Sequence, residues 1–215
     1  MRWNWKKKSG ACLNSGYDLE ANLFYLPCLP PVSWWVAVKN STKVVLEACE
    51  HYSKGSWRNR YMLAGPNGAQ LLSIPLLKGK HQQKPIREVR ISYEVAWQRQ
   101  HWRTICTAYG NAPYFEHYAD EIRVFYEKEF EFLWDYNGAW LSFLSKKWRW
   151  EVPWQTTGAY TSADQWLSGN DYRHHWPSPV FKPYPQVFSD RYGFQSDLSS
   201  LDLLFCCGNK SSDFL

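Results

Sequence analysis

The sequence lacks any run of 18 apolar residues, although 45% of its 215 residues are hydrophobic. A helix needs about 20 consecutive, mostly apolar residues to cross a bilayer, so we expect no transmembrane segment. The most apolar stretch, LFYLPCLPPVSWWVAV, is interrupted by Pro27, Pro30 and Pro31. The lysines at 6–8 resemble the start of a signal peptide, but no apolar segment follows them. The expected location is therefore the cytoplasm.

The sequence also lacks the common motifs of metal and nucleotide sites. It has no C-x-x-C pair, which argues against a structural zinc site, and its six cysteines are scattered, which predicts reduced thiols. No Gly-rich phosphate loop, dinucleotide fingerprint or G-x-S-x-G element is present, and the sequence identifies no cofactor. Asp171, His174 and His175 could be metal ligands, but adjacent histidines diverge in extended chain and no further ligand is fixed by spacing, so no metal is predicted.

Charge and aromatic content indicate the kind of ligand. Lys and Arg outnumber Asp and Glu by 25 to 20, a net charge of +5, which favours an anionic ligand. The basic residues are dispersed and no nucleic-acid module is recognisable, so nucleic-acid binding is not predicted. Fourteen Trp and fourteen Tyr supply broad, stiff faces, which protein cores, interfaces and sugar-binding sites all use. Core packing is the simplest explanation for most of them.

Residue patterns in the first half predict a sheet. NLFYLP indicates a buried strand, Ser33 is placed to cap a short helix, and TKVVLEA indicates a second strand, together forming a parallel pair. RYMLA and AQLLSIPL flank GPNG, a hairpin signal, and IREVRISY alternates like an amphipathic strand. The expected class is α/β or α+β, with a mixed sheet in the first half.

The second half predicts helices that pack on this sheet. One begins at Trp97 and ends near Gly110, a second follows Pro113, a third covers NGAWLSFLSKKW, and a last one is capped by Asp197 or a nearby serine and ends at Gly208. Residues 155–190 show no period and predict a long loop over the sheet edge. We expect residues 22–210 to form a single domain and residues 1–21 to be a basic extension that need not be ordered.

The candidate site is the charged stretch after the second strand. Glu47 stands at the carboxyl end of that strand, where ligands bind in open α/β sheets, and could orient a hydroxyl or take a proton. The residues that we expect to bind the substrate beside it are Glu50, Tyr52, Lys54, Arg58, Asn59 and Arg60. In extended chain Arg58 and Arg60 share a face and could clamp one anion. The alternative is a surface ion-pair network in which Asn59 ties down its own turn.

His101 is a second catalytic candidate, as a possible acid or base, because histidine titrates near neutral pH. A half-buried structural histidine is the alternative. A nucleophilic pair of His101 with Cys106 is rejected, since five helical residues turn the side chains about 140° apart. Cys28 and Cys106 are more simply small buried hydrophobes.

Longer strings in the chain resemble the WbqC-like protein family. They are FYLPCLPPVSWW, VVLEACEHYSKGSWRNRYMLAGPNGAQLLSIPL, WQRQHWRTICTAYGNAPYFEHY and YPQVFSDRYGFQSDLSSLDLLFCCG, from about Leu23 to Gly208. The resemblance implies bacterial origin and a link to gene clusters for cell-surface polysaccharide such as O-antigen, where glycyl or acyl transfer to a sugar has been suggested. It supplies no settled catalytic residues, and the cysteines at 28, 106, 206 and 207 depart from its usual pattern.

The combined prediction is a transferase that modifies a sugar or sugar acid in polysaccharide biosynthesis. Its partner would be an anionic or nucleotide-activated sugar, with Tyr25 and Gln186 added to the substrate-binding residues. The alternative is a protein of the same machinery that binds a glycan or partner without catalysis. The oligomeric state is not predicted.

Overall fold

The structure is a computed structural model that describes residues 20–77, 84–150 and 154–215. The strands are β1 (Ala21–Phe24), β2 (Lys43–Leu46), β3 (Arg60–Leu63), β4 (Gln70–Ser73) and β5 (Trp154–Thr156), and the α-helices are α1 (Val32–Lys39), α2 (Trp97–Tyr109), α3 (Phe115–Glu127), α4 (Leu133–Lys147), α5 (Ser189–Tyr192) and α6 (Ser200–Cys207). Short 3-10 helices cover Ile86–Glu88, Ala163–Gln165 and Gly208–Phe214. The α/β class is confirmed. Most of the predicted basic extension lies outside the described residues.

A three-stranded parallel sheet positions the site. β1 pairs in parallel with β2, from Ala21 opposite Lys43 to Phe24 opposite Leu46, and α1 connects them as predicted. β5 pairs with the other edge of β2, so the strand order is β1-β2-β5. The predicted loop of residues 155–190 thus begins within a strand, which at three residues is too short to show an alternating pattern.

The long segment that follows β5 covers the remaining edge of the sheet. Ala21 donates its backbone N–H to the Ser168 carbonyl, and the N–H of Leu23 donates to Asn170. The N–H of Tyr172 donates in return to the carbonyl of Leu23. The predicted position of this loop over the sheet edge is confirmed, and the edge groups of β1 find partners there.

The predicted hairpin is confirmed as a separate two-stranded sheet. β3 and β4 pair antiparallel, from Arg60 opposite Ser73 to Leu63 opposite Gln70. Gly68 in the turn has a φ of 99°, which only glycine adopts without strain. The parallel and antiparallel strands therefore lie in two sheets of the described chain, instead of the one mixed sheet that was predicted for the first half, because β2 pairs with β5 of the second half and not with the hairpin.

The strand predicted from IREVRISY is wrong. Ile86–Glu88 is a 3-10 helix, and Arg90 and Ile91 form only isolated bridges. The apolar side chains of Ile86, Val89 and Ile91 are buried. Val89 and Ile91 keep the alternation toward the core, but Ile86 is out of phase with them and Ser92 is also buried, because the backbone groups pair with short, separate segments instead of one strand.

The predicted cap of α1 is wrong, whereas the last helix begins after a nearby serine, one of its two predicted alternatives. α1 begins at Val32, so Ser33 is its second residue, and its N–H has no partner within the helix. Asp197, predicted to cap the last helix, caps α1: its carboxylate accepts the Ser33 N–H at 2.8 Å and the Ser33 hydroxyl at 2.9 Å. α6 begins after Ser199, the serine alternative, and ends at Gly208 as predicted, where φ is 59°.

The helices of the second half form a largely aromatic core. α2 and α3 occur where predicted, while α4 begins at Leu133, four residues before the predicted start. Trp34, Trp35 and Trp140 are among the largest fully buried side chains, in agreement with core packing. The five cysteines of the described chain form no disulfide. Among the residues described, no helix is both long and apolar enough to cross a membrane.

Candidate functional site

The carboxyl ends of the three parallel strands bring polar side chains together. Tyr25 follows β1, Glu47 follows β2 and Thr157 follows β5. Because parallel strands end at the same edge of a sheet, these residues meet there, where α/β proteins bind ligands. Glu47 occupies the place predicted for it and is fully buried.

Glu47 is held by three donors. Its Oε1 accepts the Cys49 N–H at 2.7 Å and the Thr157 hydroxyl at 2.5 Å, and its Oε2 accepts Nη1 of Arg173 at 3.2 Å. The Thr157 hydroxyl in turn accepts the Ala48 N–H at 2.9 Å. Both carboxylate oxygens are therefore satisfied despite complete burial, as a buried charge requires.

Arg173 joins Glu47 to a second carboxylate, Asp171. Nε of Arg173 lies 2.9 and 3.1 Å from the two Asp171 oxygens, Nη2 lies 2.6 Å from Oδ2, and Nη1 donates to the Thr161 carbonyl at 2.7 Å. Burial opposes the ionisation of Asp171, but the hydrogen bonds from Arg173 outweigh burial and hold the pKa of the carboxyl below its ordinary value.

A second buried ion pair, Arg58 with Glu50, lies beside the pair of Arg173 and Glu47. Arg58 donates from Nε and Nη2 to Glu50 at 2.7 and 2.6 Å, and its guanidinium lies 3.9 Å from the centre of the Tyr25 ring. Burial raises the pKa of Glu50, with the Glu47 charge adding to this effect and Arg58 opposing it. An incoming anion would have to displace Glu50 to reach Arg58, so the predicted clamp of Arg58 with Arg60 requires a rearrangement.

We call these residues the strand-end network: Glu47, Glu50, Arg58, Asp171 and Arg173. It holds three carboxylates and two guanidinium groups, all at or near the carboxyl edge of the parallel sheet. Buried ion pairs contribute less to stability than apolar packing of similar volume, since both charges lose their hydration. The fold alone therefore does not require this network.

The exposed side of the same connection is basic. The Tyr52 hydroxyl donates to Oδ1 of Asn59 at 2.9 Å, and the Asn59 amide donates to the Ile74 carbonyl at 2.9 Å, so Asn59 fastens the loop to the hairpin. Burial raises the pKa of Tyr52, and the Arg60 charge beside it opposes the rise. Lys54 is exposed and Arg60 is half-buried. In the described ranges neither forms an ion pair.

His101 lies in a different, aromatic environment. Its Nδ1 is 2.8 Å from the Tyr61 hydroxyl, which is 3.1 Å from the Tyr126 hydroxyl, and its ring packs edge-on against Trp97. Burial lowers the pKa of His101 to about 4, so the ring is neutral at pH 7. Within the residues that the structure describes, no hydrogen bond or ion pair joins it to Glu47. Its acid or base role stays a prediction.

Gln186 belongs to another buried cluster. Its amide donates to Oδ2 of Asp202 and to the Gln195 carbonyl, both at 2.9 Å. Asp202 also accepts hydroxyls from Tyr109 at 2.9 Å and Tyr184 at 2.7 Å. Burial raises the pKa of Asp202, and its three neutral donors oppose the rise. None of these bonds reaches the strand-end network, so Gln186 and Glu47 are not brought together by them.

Thr157, Thr161 and Arg173 were not among the predicted site residues. Asp171 was considered only as a possible metal ligand with His174 and His175, and no metal was predicted; its carboxylate accepts hydrogen bonds from Arg173. Across the described ranges, no group of three or more His, Cys, Asp and Glu side chains is arranged to hold a metal ion. The only local signal for the pair was an acid and an arginine two residues apart.

Comparison with known proteins gives the relationship of the chain. A curated protein of Mycobacterium tuberculosis, described as uncharacterized protein Rv1507c, is 27% identical over 198 residues, which cover 76% of this chain and 83% of that protein. No solved structure matches. The sequence profile of the WbqC-like protein family matches residues 26–172, a range that includes all of the strand-end network except Arg173. The chain belongs to the WbqC-like protein family.

Proposed function

We propose that the protein is a transferase of bacterial cell-surface polysaccharide biosynthesis that binds an anionic or nucleotide-activated sugar at the strand-end network. The observation that carries the proposal is the buried set of carboxylates and guanidinium groups at the carboxyl ends of three parallel strands. Strand ends of this kind are where α/β proteins place ligands, and the ionic network is costly in a purely structural role. Family membership supports the link to polysaccharide.

The surface around the network supports an anionic substrate. Lys54, Arg60 and Lys84 carry positive charge near Tyr52, and the Tyr52 N–H donates to the Lys84 carbonyl at 3.1 Å. The acids of the same connection, Glu47 and Glu50, are buried and paired. The exposed charge is thus positive, which attracts a phosphate or carboxylate.

An aromatic ring stands at the outer side of the network. The guanidinium of Arg173 lies 5.2 Å from the centre of the Tyr160 ring, whose side chain is 59% exposed. An exposed ring beside charged groups can pack against the apolar face of a sugar. For Glu47 to reach a substrate hydroxyl, the segment carrying Thr157 and Arg173 would have to withdraw from it.

A second candidate function is binding without catalysis. The observation that favours it is that the candidate groups are already paired: both oxygens of Glu47 accept hydrogen bonds, Nε and Nη2 of Arg58 donate to Glu50, and His101 is neutral with its Nδ1 beside the Tyr61 hydroxyl. A catalytic acid or base needs access to the substrate proton within about 3 Å. In this arrangement the strand-end network can bind a ligand through its shape and charge, but it offers no unoccupied acid or base for catalysis.

Two measurements separate these functions. A thermal-shift series with nucleotide sugars and free uronic acids tests binding, since a ligand at 100 times its Kd stabilises the folded state by about 2.7 kcal/mol. Arg60→Gln should abolish the shift, and Arg123→Gln, on the exposed face of α3, should leave it unchanged. Absence of any shift in the wild type would contradict the proposal. If a Glu47→Gln variant binds normally and the cellular glycan keeps its modification, binding without catalysis is supported instead.

A further inference from the structure

A polar stripe runs along the outer face of α2. Gln100, Arg103, Thr104 and Thr107 are spaced at i, i+3, i+4 and i+7, which places them on one side of the helix, opposite the buried Ile105. Asn111 continues the same spacing just beyond the helix end. The nine steps from Gln100 to Tyr109 span about 14 Å. The stripe is therefore long enough to contact an extended ligand.

Two surface pockets lie along this stripe. The first, about 320 Å³, is formed between α2 and the β3–β4 turn, with Pro66 and Gln70 opposite the helix. The second, about 360 Å³, lies at the end of α2, where Asn111 and Pro113 face Phe188 and Arg191. Each pocket is large enough for a small ring; the first lies along α2 and the second lies just beyond its end.

Tyr192 connects the two pockets. It follows Arg191 of the second pocket in the chain, and its hydroxyl donates to the carbonyl of Pro66 in the first at 2.8 Å. Its side chain remains 44% exposed. We name the two pockets together with Tyr192 the α2 groove.

The side chains of the α2 groove offer a particular set of interactions. Asp190 and Gln186 line the second pocket, and the Gln186 amide is already bound to Asp202 and Gln195. The other polar members are three amides, two hydroxyls and two guanidinium groups: Gln70, Gln100, Asn111, Thr104, Thr107, Arg103 and Arg191. In the part of the chain that the structure describes, no hydrogen bond or ion pair with another side chain occupies these amides or guanidinium groups. The two threonine hydroxyls donate to backbone carbonyls of α2 but retain lone pairs that can accept.

We propose that the α2 groove binds an acidic oligosaccharide, a chain of sugar rings with carboxylate groups. Amides and hydroxyls pair with sugar hydroxyls, exposed faces of Phe188 and Tyr192 pack against ring carbons, and Arg103 and Arg191 pair with carboxylates. Asp190 also lines the groove and opposes an anion, but it stands against two arginines. The groove goes beyond the strand-end site and does not depend on catalysis there.

Nucleic acid is the competing extended anion. A strand with one phosphate per nucleotide is bound through a dense row of cations, and affinity depends mainly on their number. The α2 groove has two arginines and more uncharged donors and acceptors than charges, which favours a ligand with many hydroxyls and fewer charges. Single-stranded RNA therefore serves as the control ligand.

The test is calorimetric titration of the full chain with a tetramer of galacturonic acid, beside maltotetraose and a short single-stranded RNA. We expect binding of the galacturonate tetramer, weaker binding of the neutral tetramer, and at least about a ten-fold loss in the Arg103→Gln/Arg191→Gln double variant, since two charge-assisted hydrogen bonds are removed. Arg123→Gln lies outside both pockets and should bind like the wild type. The substituted arginines are exposed, so folding should be preserved, which circular dichroism verifies.

Ring packing is tested by Tyr192→Ala against Tyr192→Phe. The phenylalanine variant keeps the ring and should keep most of the affinity, whereas the alanine variant should lose it. No binding of the tetramer at millimolar concentration, full affinity in the double variant, or tighter binding of RNA with the same variant sensitivity would each overturn the proposal. Arg60→Gln should leave this binding intact, so failure here and failure of the strand-end proposal give different results.

Discussion

Replacing Arg58 by Met tests whether the Glu50–Arg58 pair is a closed, buried ion pair. The side chains of Arg58 and Glu50 are 4% and 10% exposed, and two hydrogen bonds join them. The substitution keeps most of the side-chain volume but leaves the Glu50 carboxylate buried without its cation. Removing one member of such a pair costs about 3–5 kcal/mol, because the remaining charge keeps its desolvation penalty.

The expected loss is large enough for ordinary thermal unfolding. For chains of 150–250 residues, 1 kcal/mol corresponds to about 2–4 °C in Tm, so Arg58→Met should lower Tm by about 6–20 °C. A double variant, Arg58→Met with Glu50→Leu, removes both charges and should regain most of the stability. Arg123→Met is the matched control, because Arg123 and its partner Glu127 are both more than half exposed. Loss of this exposed ion pair should lower the free energy of unfolding by less than about 1 kcal/mol.

Two outcomes would refute the argument. If Arg58→Met costs no more than Arg123→Met, the pair is solvated instead of closed. If the double variant is less stable than Arg58→Met alone, Glu50 is held mainly by groups other than Arg58, and the coupling between the two charges is not the stabilising element.

Three further predictions follow from buried groups. His101 has a pKa of about 4 in the folded chain against an ordinary value of 6.5, so the unfolded chain binds a proton first as the pH falls. The free energy of unfolding should therefore drop by up to about 3 kcal/mol between pH 6.5 and pH 4, and urea unfolding of His101→Gln should show a smaller drop over this range. Gly208→Ala should lower Tm more than Gly55→Ala does. Both glycines have a positive φ, but a Cβ at Gly208 would lie 2.6 Å from a tyrosine ring, whereas a Cβ at Gly55 would lie in open space. Equal Tm values for the two variants would contradict this. Tyr184→Phe removes one of three donors to Asp202 and should cost about 1–3 kcal/mol by chemical denaturation; no loss would mean that water replaces the hydroxyl.

The place of Glu47 could be predicted because local information suffices for it. The β-branched run before it identifies a strand, and the end of a parallel strand is a common ligand position. Its partners could not be predicted in the same way. Arg173 lies 126 residues away in a segment without a period, and local patterns carry no record of such long-range pairing.

The pairing of Arg58 shows a second limit of prediction from the sequence. Glu50, Lys54, Arg58 and Arg60 lie within eleven residues, so several ion pairs are compatible with the sequence. In the folded chain Arg58 turns inward to Glu50 and packs against the Tyr25 ring, a contact with a residue 33 positions away in the sequence. The cap of α1 has the same origin, since Asp197 is 164 residues away from Ser33 in the sequence. Local patterns identified these polar groups, while tertiary packing chose their partners.

β5 is translated long after its partner β2, and this affects how the chain folds during its own synthesis. β2 is the central strand of its sheet, yet its partner β5 and the Glu47 partners Thr157 and Arg173 are separated from it by more than a hundred residues. Chains emerge from the ribosome amino end first, so β2 is made before the strand that pairs with one of its edges. At that stage the Glu47 carboxylate also lacks two of its three donors, Thr157 and Arg173. A fragment ending before Trp154 lacks β5, so it should expose that edge of β2 and aggregate, whereas the full chain can close it. Folding of the first half therefore has to wait for translation of the second.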